Sequence, residues 1–186
     1  MEVSVGISNR HVHLTEEDFK LLFGDVEMEK RNDLTQPGMF ACTQTVTIKG
    51  PKREINNVRV LGPCRTYTQV EVSRTDSYTL GIDPPVRDSG DLVGASEIEI
   101  IGPVGSIVRS AAIIASRHIH VNKAIREEHN LVGINKVSVK KNGEKGAILY
   151  DVHLKDSEEA YFELHLDTDD ANALLLNSND ILEIII

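Results

Sequence analysis

The sequence predicts a mainly β fold built from two related halves, and three observations carry that prediction. The 186-residue chain breaks into short β-branched or alternating runs bounded by turn residues. Gly-Pro follows such a run three times, at Gly50-Pro51, Gly62-Pro63 and Gly102-Pro103. Arg-His-x-His occurs twice, as Arg10–His13 and Arg117–His120, the two copies offset by 107 positions. Regular short strands with Gly and Pro turns favour barrels or sandwiches. The repeat suggests two related barrel halves.

The runs read as strands are Val3–Ile7, Thr43–Lys49, Asn57–Leu61, Thr68–Ser73, Glu97–Ile101, Lys136–Lys140, Ala147–Leu154, Tyr161–Leu166 and Asp180–Ile186. Asn142-Gly143 supplies a hairpin turn after the Lys136–Lys140 run. Three short helices interrupt the strands. The first has Thr15 as N-cap, Glu16, Glu17 and Asp18 in its opening turn, and Gly24 as its stop. The second is capped by Asn122, covers Lys123–Val132 and ends at Gly133; the third begins near Thr168 and runs through Ala171–Leu176. Each copy of the repeat therefore reads strand, Arg-His-x-His, cap, short helix, glycine. Pro84-Pro85 and Asp88–Asp91 read as a rigid, then polar connection between the halves.

Composition narrows the function. With 20 basic and 29 acidic residues the formal charge is −9, which argues against a general nucleic-acid or anionic-membrane binder. Any anionic ligand needs a local basic cluster. Two cysteines, Cys42 and Cys64, make no Cys-x-x-Cys and no disulfide framework, so a reducing cytosol is expected. No apolar run reaches the ~18 residues that mark a membrane span, and Met1–Val5 reads as neither a signal nor a transit peptide. Trp is absent and aromatics make up 4 %, so the core must be aliphatic and base-stacking platforms are not expected.

Four of the seven histidines lie in the two repeats. In a strand, alternate side chains share a face, so each His-x-His presents two imidazoles side by side. A catalytic-type metal site needs three protein ligands. In the first half the third candidate is Glu71, an acid between two valines; in the second it is His165, a histidine between two leucines. Each is followed by a Thr-Asp step, Thr75-Asp76 and Thr168-Asp169. The predicted sets are His11/His13/Glu71 and His118/His120/His165. Nitrogen and carboxylate donors without thiolate suit zinc, with cobalt, nickel or ferrous iron as alternatives, and three ligands leave a coordination position open. A lone His-x-His is more often a surface pair, and it is the second copy with matched flanks that favours a metal here. His129 reads as a surface residue and His153 as an ordinary strand histidine.

Competing metal motifs fit poorly. Leu14 and Thr15 follow His13 where a metallo-β-lactamase-type His-x-His-x-Asp-His needs Asp and His. Amidohydrolase barrels need ~250 residues. Cupins place a Glu a few residues after His-x-His, whereas Glu71 lies 58 residues beyond His13. Arg65, across a Gly-Pro turn and six residues before Glu71, is the candidate phosphate clamp. Arg87, flanked by Asp88 and Asp91, reads instead as a structural ion pair. Cys64 lacks any accompanying base or signature and reads as a filler residue.

These segments together resemble the phosphate propanoyltransferase family, the two-metal phosphotransacylases known from propanediol-utilising bacterial microcompartments. The likeness runs through Val5–Leu14, Asp33–Gly38, Val60–Arg65, Thr68–Ser73, Leu80–Asp83, Pro85–Asp91 and Ala115–His120, and covers nearly the whole chain. It implies two small β-barrels capped by short α-helices, residues 1–9 with 116–186 forming one and 10–115 the other, with the active site between them. Reversible acyl transfer between coenzyme A and inorganic phosphate is implied, with acetyl or propanoyl as the group. Two zinc ions on the two predicted sets are implied as well, with Arg65 at the phosphate-binding arginine and Ser8, Arg59, Leu61 and Asn172 at positions lining the coenzyme A site. A homodimer and an acetate or propionate kinase as pathway partner are further expectations. Asn32 stands where the family has a lysine near coenzyme A, with Lys30 and Arg31 close by, and Met39 where a glutamine is expected. Microcompartment members carry an N-terminal targeting extension; here the first strand starts almost at Met1, which reads as a free cytoplasmic member. The competing functions are a metal-dependent hydrolase of thioesters or phosphoesters, and a non-catalytic metal-binding interaction module.

Overall fold

A computed structural model describes residues 1–157 and 161–186. The chain forms two compact units, one of residues 1–9 with 116–186 and one of residues 10–115. Each contains a closed ring of six strands.

The central unit contains β2 (His11–His13), α1 (Glu16–Phe23), β3 (Lys30–Asp33), β4 (Phe40–Lys49), β5 (Glu54–Gly62), β6 (Gln69–Glu71), α2 (Arg74–Leu80), β7 (Val86–Arg87), β8 (Ser96–Ile101) and β9 (Ser106–Ala115). Its ring runs β4-β5-β2-β6-β9-β8 and closes where β8 pairs with β4; β3 and β7 extend it at β4 and β9. The other unit contains β1 (Glu2–Ser8), β10 (His118–Val121), α3 (Lys123–Glu128), β11 (Lys136–Lys141), β12 (Ala147–Asp156), β13 (Glu163–Asp167), α4 (Thr168–Leu174) and β14 (Ile181–Ile185). Its ring runs β1-β13-β10-β12-β11-β14.

The two rings match strand for strand. Each His-x-His strand runs parallel to one neighbour (β5 or β12) and antiparallel to the other (β6 or β13). The latter runs parallel to β9 or β1. Alternation fills each barrel with aliphatic side chains. Val12, Val58, Val60, Val70, Ile98 and Ile100 pack in one; Val5, Ile119, Val139, Val152 and Leu164 pack in the other. The histidines of β2 and β10 sit at the alternate positions, on the face away from the apolar interior.

Several elements differ from the sequence prediction. A fourth helix, α2, follows β6, because Ser73 and Asp76 form a capping box and Gly81 closes the helix in the left-handed region. Strand β9, ten residues long, was not among the predicted runs. The second helix stops at Glu128 rather than Val132, because Asn130 takes a left-handed turn (φ 57°). The predicted connection at 84–91 lies inside the central unit, where Val86 and Arg87 pair with Ile114 and Ala115. No helix among the described residues is long and apolar enough to cross a membrane.

Candidate metal centres and the Arg65 network

Strand register assembles each predicted triad. His11 pairs with Glu71 across β2–β6, and His118 pairs with His165 across β10–β13. Residues paired on adjacent strands project to the same side, so the third ligand stands beside the first imidazole, with the second imidazole two residues along. In both sets, His11/His13/Glu71 and His118/His120/His165, the donor atoms lie within 4.8 Å of one another. A tetrahedral zinc with bonds of ~2.1 Å holds its donors ~3.4 Å apart, so either set closes on an ion with a small side-chain adjustment. His11 and His13 meet edge to face at 4.9 Å between ring centroids, and His118 and His120 repeat that contact at the same distance.

Burial and hydrogen bonding suit these imidazoles to a cation. His13 is 2 % exposed and His120 4 %. The Nδ1 of His118 faces the Ser116 carbonyl at 2.8 Å; read as an N–H donating to that oxygen, it leaves the Nε2 lone pair for a ligand. In His120 a buried ring nitrogen, Nδ1, has no hydrogen-bond partner among the described residues. Such a nitrogen is costly unless something binds it. Burial, followed by the His165 and His118 rings and Lys155, holds the His120 pKa down to about 3. The ring is thus neutral at physiological pH, the form that coordinates metal. The chemistry of both donor sets therefore fits zinc.

The sequence reading missed the neighbours of the third ligands. Gln69, fully buried and paired with His13, donates from Nε2 to Glu71 Oε1 at 2.7 Å. Its Oε1 accepts from the Gly90 amide at 2.7 Å. In the other unit Glu163 Oε2 lies 3.0 Å from His165 Nε2, and the Tyr161 hydroxyl contacts both groups, 2.7 Å from that nitrogen. Burial raises the Glu163 pKa, but hydrogen bonds from His165 and Tyr161 outweigh it, and the net shift is downward. Both Gln69 and Glu163 lie two residues before a proposed ligand on its own strand. That spacing was the available signal.

Arginine clamps each motif to the helix behind it. Arg10 reaches Asp76 Oδ1 with Nε at 2.9 Å and Nη2 at 2.8 Å, and Arg117 forks onto both oxygens of Asp170 at 2.7 Å. The matched carboxylates are Asp76 and Asp170, each at the third position of its helix, so the Thr-Asp repeat seen in the sequence is displaced by one residue.

Arg65 joins the network of the first triad. Its Nη1 donates to the Tyr67 hydroxyl at 2.9 Å and to Ser89 Oγ at 3.1 Å, and Ser89 Oγ also accepts from Gln69 at 2.9 Å. The guanidinium stands 5.6 Å from the Tyr67 ring centroid. Its Nε and Nη2 make no hydrogen bond among the described residues, which leaves donors for an anion. Arg87 bonds the Val93 carbonyl and faces Asp91 at 3.6 Å, the structural role read from the sequence. His153 pairs with His118 from β12 and stands outside the donor set; His129 stacks on Phe162.

The four positions expected to line a coenzyme A site fall in two pairs. Arg59 and Leu61 on β5 pair with His11 and His13. Ser8, at the end of β1, pairs with Asp167, the cap of α4, and Asn172 is an exposed residue of that helix. Nearby departures from the family pattern are also placed. Asn32 lies on β3 and bonds the Asp33 carbonyl, Lys30 pairs with Asp33 at 2.9 Å, and Met39 precedes β4.

Comparison with known proteins identifies the family. The family model described as phosphate propanoyltransferase matches residues 4–177. A phosphate propanoyltransferase of Thermotoga maritima is 48 % identical over 186 residues, spanning 98 % of this chain and 89 % of the relative. One of Rhodopseudomonas palustris is 43 % identical, spanning 98 % and 82 %, and one of Citrobacter freundii is 42 % identical, spanning 92 % and 82 %. With two three-donor clusters on matched strands and likeness along nearly its full length, the chain belongs to the phosphate propanoyltransferase family and is an acyltransferase.

Proposed function

We propose that the protein moves a short acyl group reversibly between coenzyme A and inorganic phosphate, with one zinc ion on each triad. The observation that carries this reading is the hydrogen-bonded path from Arg65 through Ser89 and Gln69 to Glu71, which couples an anion-binding guanidinium to a metal-type donor set.

In the forward direction a phosphate oxygen attacks the thioester carbonyl, the C–S bond breaks, and acyl phosphate and the coenzyme A thiolate leave. Arg65 holds the phosphate through its Nε and Nη2 donors, in the planar geometry that suits a dianion. Tyr67 and Ser89 keep the guanidinium in place, so little orientation is lost when phosphate binds. His11, His13 and Glu71 hold one ion, and His118, His120 and His165 the other. When bound, zinc supplies Lewis-acid stabilisation of developing negative charge on oxygen. Ser8, Arg59, Leu61 and Asn172 bind coenzyme A. The thiols of Cys42 and Cys64 are both pushed up by burial, which disfavours a cysteine nucleophile and supports direct attack by phosphate. Acetyl and propanoyl differ by one methylene, which a pocket separates by only ~1–3 kcal/mol, so both are expected substrates.

The test is release of free thiol from acetyl-, propanoyl- and butanoyl-CoA, with and without phosphate and with and without a chelator. Phosphate-dependent release that the chelator abolishes is the expected result. Release without phosphate would assign a thioester hydrolase instead, and bound metal with no turnover a non-catalytic module.

A further inference from the structure

The two rings match position by position, yet the groups behind their third ligands differ. In the central unit the third ligand is a carboxylate, Glu71, and Gln69 two residues earlier donates to it at 2.7 Å. In the other unit the third ligand is an imidazole, His165, and the residue two earlier is a carboxylate, Glu163, 3.0 Å from Nε2. The polarity is inverted: an amide donor backs the acid, and an anionic acceptor backs the imidazole. Each set thus carries one carboxylate, at the ligand position in one and at the supporting position in the other.

We infer that Glu163 is the positioning residue of the three-histidine centre, with its carboxylate seated in the space left by the missing side chain of Gly6. Glu163 is outside the set of mutually close donors, so it supports the centre rather than completing it. By accepting at Nε2 it fixes the ring and its tautomer, leaving the lone pair on Nδ1. Gly6 pairs with His165 across β1–β13, and a Cβ there would lie 2.4 Å from Glu163 Oε2 and 2.8 Å from its carboxyl carbon. The matching position in the central unit, paired with Glu71, is Ile113. A glycine therefore stands where the support is a carboxylate in need of room, and a bulky residue where it is an amide reaching the ligand directly. Tyr161 adds a second donor to the Glu163 oxygen.

This inference rests on metal binding at the triads, and the experiment separates the two. The His13→Ala protein, in which His118, His120 and His165 form the remaining intact set, is titrated with cobalt(II) against a chromophoric chelator, and its visible d–d bands are recorded. Adding Glu163→Gln, which is nearly isosteric, is expected to weaken cobalt binding by about 10–100-fold and to shift the bands. Adding Gly6→Ala is expected to do the same from a different strand by displacing the carboxylate. It keeps the reading testable should Glu163→Gln fail to fold by circular dichroism. If either folded variant kept the parent's affinity and bands, the positioning role would be overturned. If wild-type protein took up no cobalt, the metal assignment itself would fall.

Discussion

Replacing Arg10 by Met is expected to cost about 2 kcal/mol of stability, and replacing Arg117 by Met about 1 kcal/mol. Both arginines are about one-third exposed, so solvent screens the positive partner equally in the two clamps. The difference lies in the acids: the Asp76 side chain is 5 % exposed and that of Asp170 24 %. A hydrogen bond to a charged group contributes ~1.5–3 kcal/mol when its loss strands a buried partner, and exposed pairs contribute ~0–1 kcal/mol. The bidentate fork of Arg117 keeps its value near the top of the exposed range. For a chain of this length ~1 kcal/mol lowers the melting temperature by roughly 2–4 °C, so shifts of about 4–8 °C and 2–4 °C are expected. Calorimetry should be run with chelator present, because metal binding alone would move the transition. Double-mutant cycles with Asp76→Asn and Asp170→Asn isolate the pair terms from the cap that Asp76 also provides. A coupling within about 0.3 kcal/mol of zero for Arg10–Asp76, or a larger loss at Arg117 than at Arg10, would refute the burial argument.

Other outcomes test the chemistry and the core. Arg65→Ala should raise the phosphate KM and cut kcat/KM by roughly 10–150-fold, the equivalent of a lost charged hydrogen bond; normal turnover at low phosphate would remove the clamp assignment. Ile119→Ala, at a fully buried position between the two histidines of its strand, should cost about 2–5 kcal/mol in urea unfolding, and a loss under 1 kcal/mol would mean the barrel interior repacks around it. Burial, with Cys64 nearby, pushes Cys42 up to about 11, so its alkylation at pH 8 should be at least tenfold slower than that of free cysteine and should quicken about tenfold per pH unit towards 11; a fast reaction at pH 8 would contradict its placement. Cys64→Ala should keep phosphate-dependent turnover, and abolished turnover would bring a thiol nucleophile back.

The triads were legible because strand chemistry writes them at fixed intervals. His-x-His declares its face by the period of two, and Glu71 and His165 stand out as polar residues between aliphatic ones. Their supports were hidden by the same period. Gln69 and Glu163 also lie on that face, but each is a common surface residue type, and only the fold shows it buried beside a member of a donor set. Helix α2 escaped because β-branched and hydroxyl residues fill its short sequence, Arg74–Leu80, and its stability comes from the capping box and the Arg10 clamp rather than from propensity. The end of α3 was overextended because Gly133 was a plausible stop, whereas Asn130 turned the chain earlier. The Arg of the motif had no visible partner, since its acid lies 66 residues away in one copy and 53 in the other.

The repeat in the sequence is not the repeat in the fold, and the reason is where the chain changes units. One unit ends at Asn9 and resumes at Ser116, so both changes fall at the Arg-His-x-His motifs. Strand β1 precedes the first motif but pairs with β13 and β14, while β9 precedes the second motif and pairs with β6 and β8. Each motif thus follows a strand of one barrel and supplies a strand to the other. A sequence duplication with that property cannot be cut into two consecutive domains: severing after Ala115 would remove β1 from its ring and leave β13 and β14 each with an unpaired edge. Open edges of this kind favour association or misfolding. The exchange also explains why Gly6, 159 residues before His165, can decide how that imidazole is held. Drift in the first strand acts on the three-histidine set, and drift in β9 acts on the set that contains Glu71. The two donor sets could therefore diverge, one to an acid backed by an amide and the other to an imidazole backed by an acid, while both rings kept a single topology.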